Sequence, residues 1–257
     1  MRPISVPVTF HTTSHPPTDE DVRQHRSIRL DALRTDPKSF LSTHAQESEV
    51  EPAEWRERLQ QEGVWTFYAK FDEVNKYARP EPWLSTLTLL SPSFLTWFLS
   101  SSCKTPITTH TVSSPNPSWP LSLLHSGINL WLIVGLWVRP EWRRRGVAQK
   151  IVQKAVHSVR PDGAEMLETS APDAYQSLSG SSNSKTTIIL LEVYAHNRAA
   201  IELYRSVGFE ILSNPDQPSC APFQTMDTKK VRGRCKMEET HWMGYTIPPL
   251  LPHRSNL

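Results

Sequence analysis

Three consecutive arginines followed by small residues, Arg143-Arg144-Arg145-Gly146-Val147-Ala148, are the part of the chain best suited to hold an anion. They follow the apolar run Leu130 to Val138 and open a segment, Gly146 to Arg160, with Val147, Ile151, Val152, Ala155, Val156 and Val159 at helical spacing. A strand that turns sharply into a helix leaves the first amide N–H groups without intrahelical partners, pointing outward with the positive end of the helix. Small Gly146 and Ala148 let a pyrophosphate approach the backbone, and the arginines add charge around it. The segment is neither GxxxxGK[ST] nor GxGxxG, which disfavours ATP and NAD. Read by themselves, these residues are either such a cradle or a solvated basic face.

The elements that must position this turn are legible around it. LWLIVGLWV (130–138) and TTIILLEVY (186–194) are continuous apolar runs rich in β-branched residues, as expected of strands covered on both faces. The second leads through His196 and Asn197 into a helix over Arg198 to Val207, with Ala200, Leu203, Tyr204 and Val207 on one side and Gly208 as its stop. Upstream, the pattern gives a helix from Asp19 ended by Pro37, a short helix over Ala53 to Gln61, and strands over Val64 to Phe71 and Trp83 to Leu90. Phe209 to Leu212 starts a further strand, and Lys236 to Ile247 holds a final one.

Two motifs in order resemble the GCN5-related N-acetyltransferases. The family's R/Q-x-x-G-x-G/A signature stands here as Arg143-Arg-Arg-Gly146-Val-Ala148, preceded by Val138-Arg-Pro140. Its second motif stands as Asn197-Arg-Ala199-Ala-Ile-Glu-Leu-Tyr204-Arg-Ser-Val-Gly208-Phe209. The stretch IRLDALRTDPKSF, through Trp55, is similar to the first helices of many members. The likeness covers about 19–71, 83–92 and 128–212.

The resemblance implies an α/β (α+β) fold: a mixed, twisted, mostly antiparallel sheet flanked by helices on both faces. It implies an acetyl-CoA-dependent N-acetyltransferase moving an acetyl group directly to a primary amine, with no metal. By position, backbone groups of Leu136, Trp137 and Val138 would meet the pantetheine arm, amides of Arg143, Arg144, Arg145, Gly146, Val147 and Ala148 the pyrophosphate, and Asn197 the pantetheine region. Tyr204 matches the tyrosine that often protonates the departing CoA thiolate. It can also be read as a core aromatic. The central strand carries no carboxylate where some relatives place a Glu. Glu192 in the next strand is the candidate base, directly or through water, or else a solvent-facing or ion-paired side chain. His196 can tune the amine's proton or be a plain loop histidine. A fold-retaining, catalytically impaired protein that binds CoA or a partner is the alternative reading.

Composition bounds the rest. With 28 Lys+Arg against 26 Asp+Glu, the formal charge of +2 argues against a nucleic-acid or membrane-surface binder. The acceptor is expected to be a small-molecule or peptide amine, and the protein a monomer or homodimer. Cys103, Cys220 and Cys235 are odd in number and lack metal or disulfide spacing, so a reducing, cytoplasmic setting is expected. Met1 to His15 lacks the apolar core of a signal peptide.

The chain holds 22 Pro against 9 Gly, the reverse of average usage. Nearly all the prolines fall outside the expected elements. The organisation expected is a tail over 1–18, one acetyltransferase-like domain over 19–212, and a Pro-rich segment over 213–257. Within the domain, 93–127 is a low-complexity Ser/Thr/Pro insert and 163–185 a Ser-rich loop. The apolar Trp97, Phe98, Leu121, Leu123 and Leu124 of the insert either pack on the domain or stand apart from it.

Overall fold

The computed structural model describes residues 7–40, 42–72, 82–102, 128–160, 186–212 and 240–248. In chain order these form β1 (Val8–Thr12), α1 (Asp19–Thr35), a 3-10 turn (Pro37–Ser39), α2 (His44–Ser48), α3 (Pro52–Gln60), β2 (Val64–Phe71), β3 (Ser85–Leu90) and α4 (Pro92–Ser102). They continue with β4 (Asn129–Val138), a second 3-10 turn (Pro140–Trp142), α5 (Val147–Val159), β5 (Thr187–Tyr194), α6 (Arg198–Val207), β6 (Glu210–Leu212) and β7 (Thr240–Ile247).

The strands make one seven-stranded sheet in the order β1-β2-β3-β4-β5-β7-β6. Only β4 and β5 run parallel; the other neighbours are antiparallel. This is the mixed, mostly antiparallel sheet that the motifs imply. Side chains alternate across it, and each face has its own cover. On one face α5 and α6 set Ile151, Val152, Ile201 and Tyr204 against Trp131, Ile133, Leu191 and Val193. On the other, α4 sets Phe94 and Leu95 against Leu132, Leu190 and Trp242, while α1 sets Ile28 and Ala32 against Trp83 and Trp137. Cover on both faces explains why β4 and β5 read as unbroken apolar runs.

Local chemistry fixes the helix starts. Thr18 and Asp21 form a capping box on α1, the Thr18 hydroxyl accepting from the Asp21 amide at 3.1 Å and the Asp21 carboxylate accepting from the Thr18 amide at 3.0 Å. Thr43 and Gln46 repeat the device on α2. Its Glu47 is buried, and the adjacent Arg29 guanidinium lies 2.9 Å from its carboxylate.

Three elements differ from the sequence reading. The stretch read as an N-terminal tail contains β1, paired with β2 from Val8↔Phe71 to Thr12↔Phe67. Its five residues are too few to show a period, and Phe10 packs against the core. Helix α2 lies in what reads as a polar link, because its apolar contribution is slight and its cap and Glu47 supply the order. The start of the low-complexity insert is helical: Phe94 and Leu95 are buried in α4, whereas Trp97 is 55% exposed. Leu121, Leu123, Leu124, the loop 163–185 and the Pro-rich stretch 213–239 lie outside the described residues. No helix among the described residues is long and apolar enough to cross a membrane.

Candidate active site at the fork between two parallel strands

Strands β4 and β5 pair from Asn129↔Thr187 to Ile133↔Leu191, and the pairing stops there although β4 runs on to Val138 and β5 to Tyr194. β4 remains paired with β3 on its other side, at Val134↔Thr88 and again at Trp137↔Thr86 and Val138↔Ser85. Between these pairs Gly135 and Leu136 oppose the single residue Leu87, a bulge built on Gly135 at φ +66°. The extra residue resets the alternation. Trp131, Ile133 and Leu136 share the α5 face, while Leu132, Val134 and Trp137 share the other. Among the described residues, the β5-facing edge of Val134–Val138 has no strand partner, so its backbone groups border an open slot.

The slot runs into the start of α5. Arg144 is left-handed at φ +61° and Gly146 at φ +78°, and Gly146 caps α5 without any side-chain hydrogen bond. Helices α1, α2 and α6 each satisfy first-turn amides with a side chain of their own. At α5 the first intrahelical bond is from the Lys150 amide to the Gly146 carbonyl, 3.1 Å, which leaves the amides of Val147, Ala148 and Gln149 outside the helix ladder. Among the described residues, a Cβ placed on Gly146 meets nothing within 4 Å, so the backbone is open to solvent at the cap itself. Such a concave set of N–H groups at a helix N-terminus suits a phosphate oxygen.

The three arginines are not equivalent. All three are exposed, and the Arg145 guanidinium lies 4.6 Å from the Trp142 ring centroid. Arg143 is tied back: its amide donates to the Pro140 carbonyl at 3.2 Å, its Nε to the Val138 carbonyl at 3.0 Å, and its Nη2 to Asp36. The Trp137 indole turns to the α1 side, where its Nε1 donates to Asp36 Oδ2 at 2.7 Å. Val138 packs on Val147, joining the end of β4 to the first turn of α5.

Tyr204 and Glu192 belong to opposite faces of the sheet. Tyr204, on α6, is 7% exposed in the cluster that contains Leu191 and Val193, with the Phe209 ring at 5.8 Å. Burial pushes its phenol well above the usual tyrosine range, and no described group hydrogen-bonds its hydroxyl. Glu192 follows Leu191 and alternates to the other face, where Thr240 Oγ1 donates to its Oε1 at 2.6 Å. Asn197 caps α6, its Oδ1 accepting from the Ala200 amide at 3.2 Å, which leaves its Nδ2 to other partners. His196 is exposed and stacks on Tyr194 at 5.4 Å.

Residues 120–211 match the family model described as the acetyltransferase (GNAT) domain. The matched stretch contains β4, the turn at Gly146, α5, β5 and α6. No curated protein matches the chain by sequence. Among solved structures, the chain is similar in fold to a protein from Acinetobacter baylyi ADP1 described as an acetyltransferase, at 12% identity and TM-score 0.50 over 96% of this chain and 97% of that one. It also aligns with Arabidopsis thaliana NAA60 in complex with acetyl-CoA, at 15% identity and TM-score 0.48 over 94% and 99% of the two chains. A third is spermidine N-acetyltransferase from Vibrio cholerae in complex with CoA and spermine, at 11% identity and TM-score 0.47 over 93% and 95%.

Two site features escape the sequence reading. Gly135 carried a signal, a lone glycine inside an apolar strand run, which marks a bulge. Asp36 carried none: it reads as the residue before a helix-stopping Pro37, and its partner Arg143 is 107 positions away.

Proposed function

We propose that this GNAT protein is an acetyl-CoA-dependent N-acetyltransferase that moves an acetyl group directly from CoA to a primary amine. One observation carries the reading: α5 begins with uncapped amides behind two left-handed residues, at the end of a strand edge that has no partner among the described residues. The residues fit an acyl-CoA. Amides from Arg144 to Ala148 hold the pyrophosphate with charge from Arg144 and Arg145, the edge Leu136–Val138 takes the pantetheine amides, and Asn197 offers its Nδ2. Arg143 acts here as scaffold, because its side chain and amide already have partners.

Bound acetyl-CoA supplies an activated thioester. The protein's part is positioning and proton management. Tyr204, kept protonated by burial, serves as general acid on the α6 face. Glu192, one residue past the last β4–β5 pair on the other face, takes a proton from the incoming amine, directly or through water. N–H groups at the splayed edge polarise the reacting carbonyl. Acid and base on opposite faces let the amine approach from one side while the thiolate leaves toward the other. The acceptor is a small-molecule or peptide amine.

Calorimetric titration with acetyl-CoA tests the cradle. Binding at one site per chain, lost in Gly146→Val and in Arg145→Glu, supports it. No binding to the folded wild-type protein overturns it.

A further inference from the structure

We propose that Asp36 is a positioning residue for the cofactor loop, a role that rests on the acetyl-CoA reading above. Asp36 caps the C-terminus of α1 and begins the turn Pro37–Ser39. One of its oxygens, Oδ2, accepts two donors, Trp137 Nε1 of β4 at 2.7 Å and the guanidinium of Arg143 in the turn after β4. The same guanidinium donates through Nε to the Val138 carbonyl at 3.0 Å and lies 5.8 Å from the Trp137 ring centroid. One planar group therefore joins the last residue of the splayed strand to the end of α1, and it belongs to the residue immediately before left-handed Arg144. Arg139 makes a parallel tie, with Nη1 at 2.9 Å from Asp31 Oδ2 and Nε donating to the Trp83 carbonyl at 2.8 Å.

The arrangement turns one cation of the cradle away from the anion and toward a carboxylate. By charge alone, a carboxylate near an anion site weakens binding, and its removal strengthens binding. Geometry gives the opposite sign. A non-glycine residue held left-handed persists only where its surroundings over-determine it, and Arg144 is such a residue at φ +61°. The fixed fork of Arg143, spanning Val138 and Asp36, supplies that constraint. Loss of the Asp36 charge lets the loop relax, and the amides of Arg144 to Ala148 no longer converge on one phosphate.

Asp36→Asn tests the sign. Its amide oxygen can still accept from Trp137 Nε1, while the charge that holds Arg143 is gone. kcat/KM is measured with acetyl-CoA and with S-acetylpantetheine, which carries the thioester but no pyrophosphate. The expected result is a fall of about tenfold in the preference for acetyl-CoA, expressed in KM. Asp36→Glu restores most of it, and Arg143→Lys, whose ammonium cannot bridge both acceptors, reproduces the loss. An unchanged or increased preference in Asp36→Asn overturns the role, and so does an equal loss with both donors, which marks general loosening. If no amine is turned over, the same comparison is read from the affinities for CoA and pantetheine. Failure of the wild-type protein to bind CoA overturns the acetyl-CoA reading and this role with it, whereas normal wild-type binding matched by Asp36→Asn overturns the role alone.

Discussion

Ile133 and Leu191 are the last paired residues of the two parallel strands, and the residues that follow them diverge into the candidate active site. Gly135 comes two positions after Ile133 and Glu192 one after Leu191, so the bulge and the proposed base both sit at the mouth of the fork. The alternation that carries Ile133 and Leu191 to the α5 face carries Glu192 to the other. This register gives each nearby side chain its proposed task and makes each task separately testable.

Glu192→Gln removes the proposed base and keeps a group of the same shape that can still accept from Thr240. The expected outcome is a loss of about 100-fold or more in kcat, with acetyl-CoA affinity retained. Steady-state rates, with titration of acetyl-CoA, check both. A variant with wild-type turnover removes Glu192 as the base.

Tyr204→Phe removes the proposed acid from a site where burial keeps the phenol protonated. A fall of about 100-fold or more in kcat is expected, with the acetyl-CoA dissociation constant changed little. Because the phenol ionises above its ordinary range near 10, Tyr204 contributes no alkaline limb to the rate below about pH 10. Unchanged turnover in Tyr204→Phe leaves the residue as a core aromatic.

Gly135→Val places a branched side chain at φ +66°, where the left-handed backbone costs about 1–2 kcal/mol. A Cβ there meets nothing within 4 Å, so the strain is in the backbone rather than in packing. Denaturation is expected to show that loss of stability, and kcat/KM a larger proportional fall as the bulge shifts. Wild-type kinetics in the variant would separate the bulge from function.

How far the sequence carries this picture depends on the range of each signal. The buried strands, α5 and α6 are local patterns, and their apolar periodicity places them to within a residue or two of β4, β5, α5 and α6. The turn into α5 is also local, since Gly146 and the residues around it bend the same short stretch of backbone. β1 and α2 are not legible, because a five-residue strand and a five-residue polar helix owe their order to a partner strand and to a buried ion pair. The tie between Asp36 and Arg143 depends on three-dimensional juxtaposition alone. The opposite facing of Tyr204 and Glu192 needed the sheet register.

His25 gives a stability prediction with a definite sign. Its ring lies between Trp55 at 5.7 Å and Trp83 at 6.1 Å, and its Nδ1 is buried without a hydrogen-bond partner among the described residues. Burial, helped by the charges of Arg29 and Arg58 and opposed by Glu47, holds its pKa down to about 4 from an ordinary 6.5. Between those values the unfolded chain binds a proton that the folded chain does not. Stability is therefore complete above about pH 6.5 and falls as the pH drops toward 4, by on the order of 3 kcal/mol. Urea denaturation at about pH 7 and about pH 4.5 is expected to show this loss, and His25→Phe to reduce it. An equal loss in the variant assigns the acid sensitivity to other groups.

The most direct measurement is mass spectrometry of primary amines and peptides incubated with the protein and acetyl-CoA, with free CoA thiol followed in parallel. The account predicts that at least one amine gains a single acetyl group on nitrogen, with one thiol released per product and product formation strongly reduced in Tyr204→Phe. Protein that binds acetyl-CoA at the cradle yet acetylates no amine would contradict it.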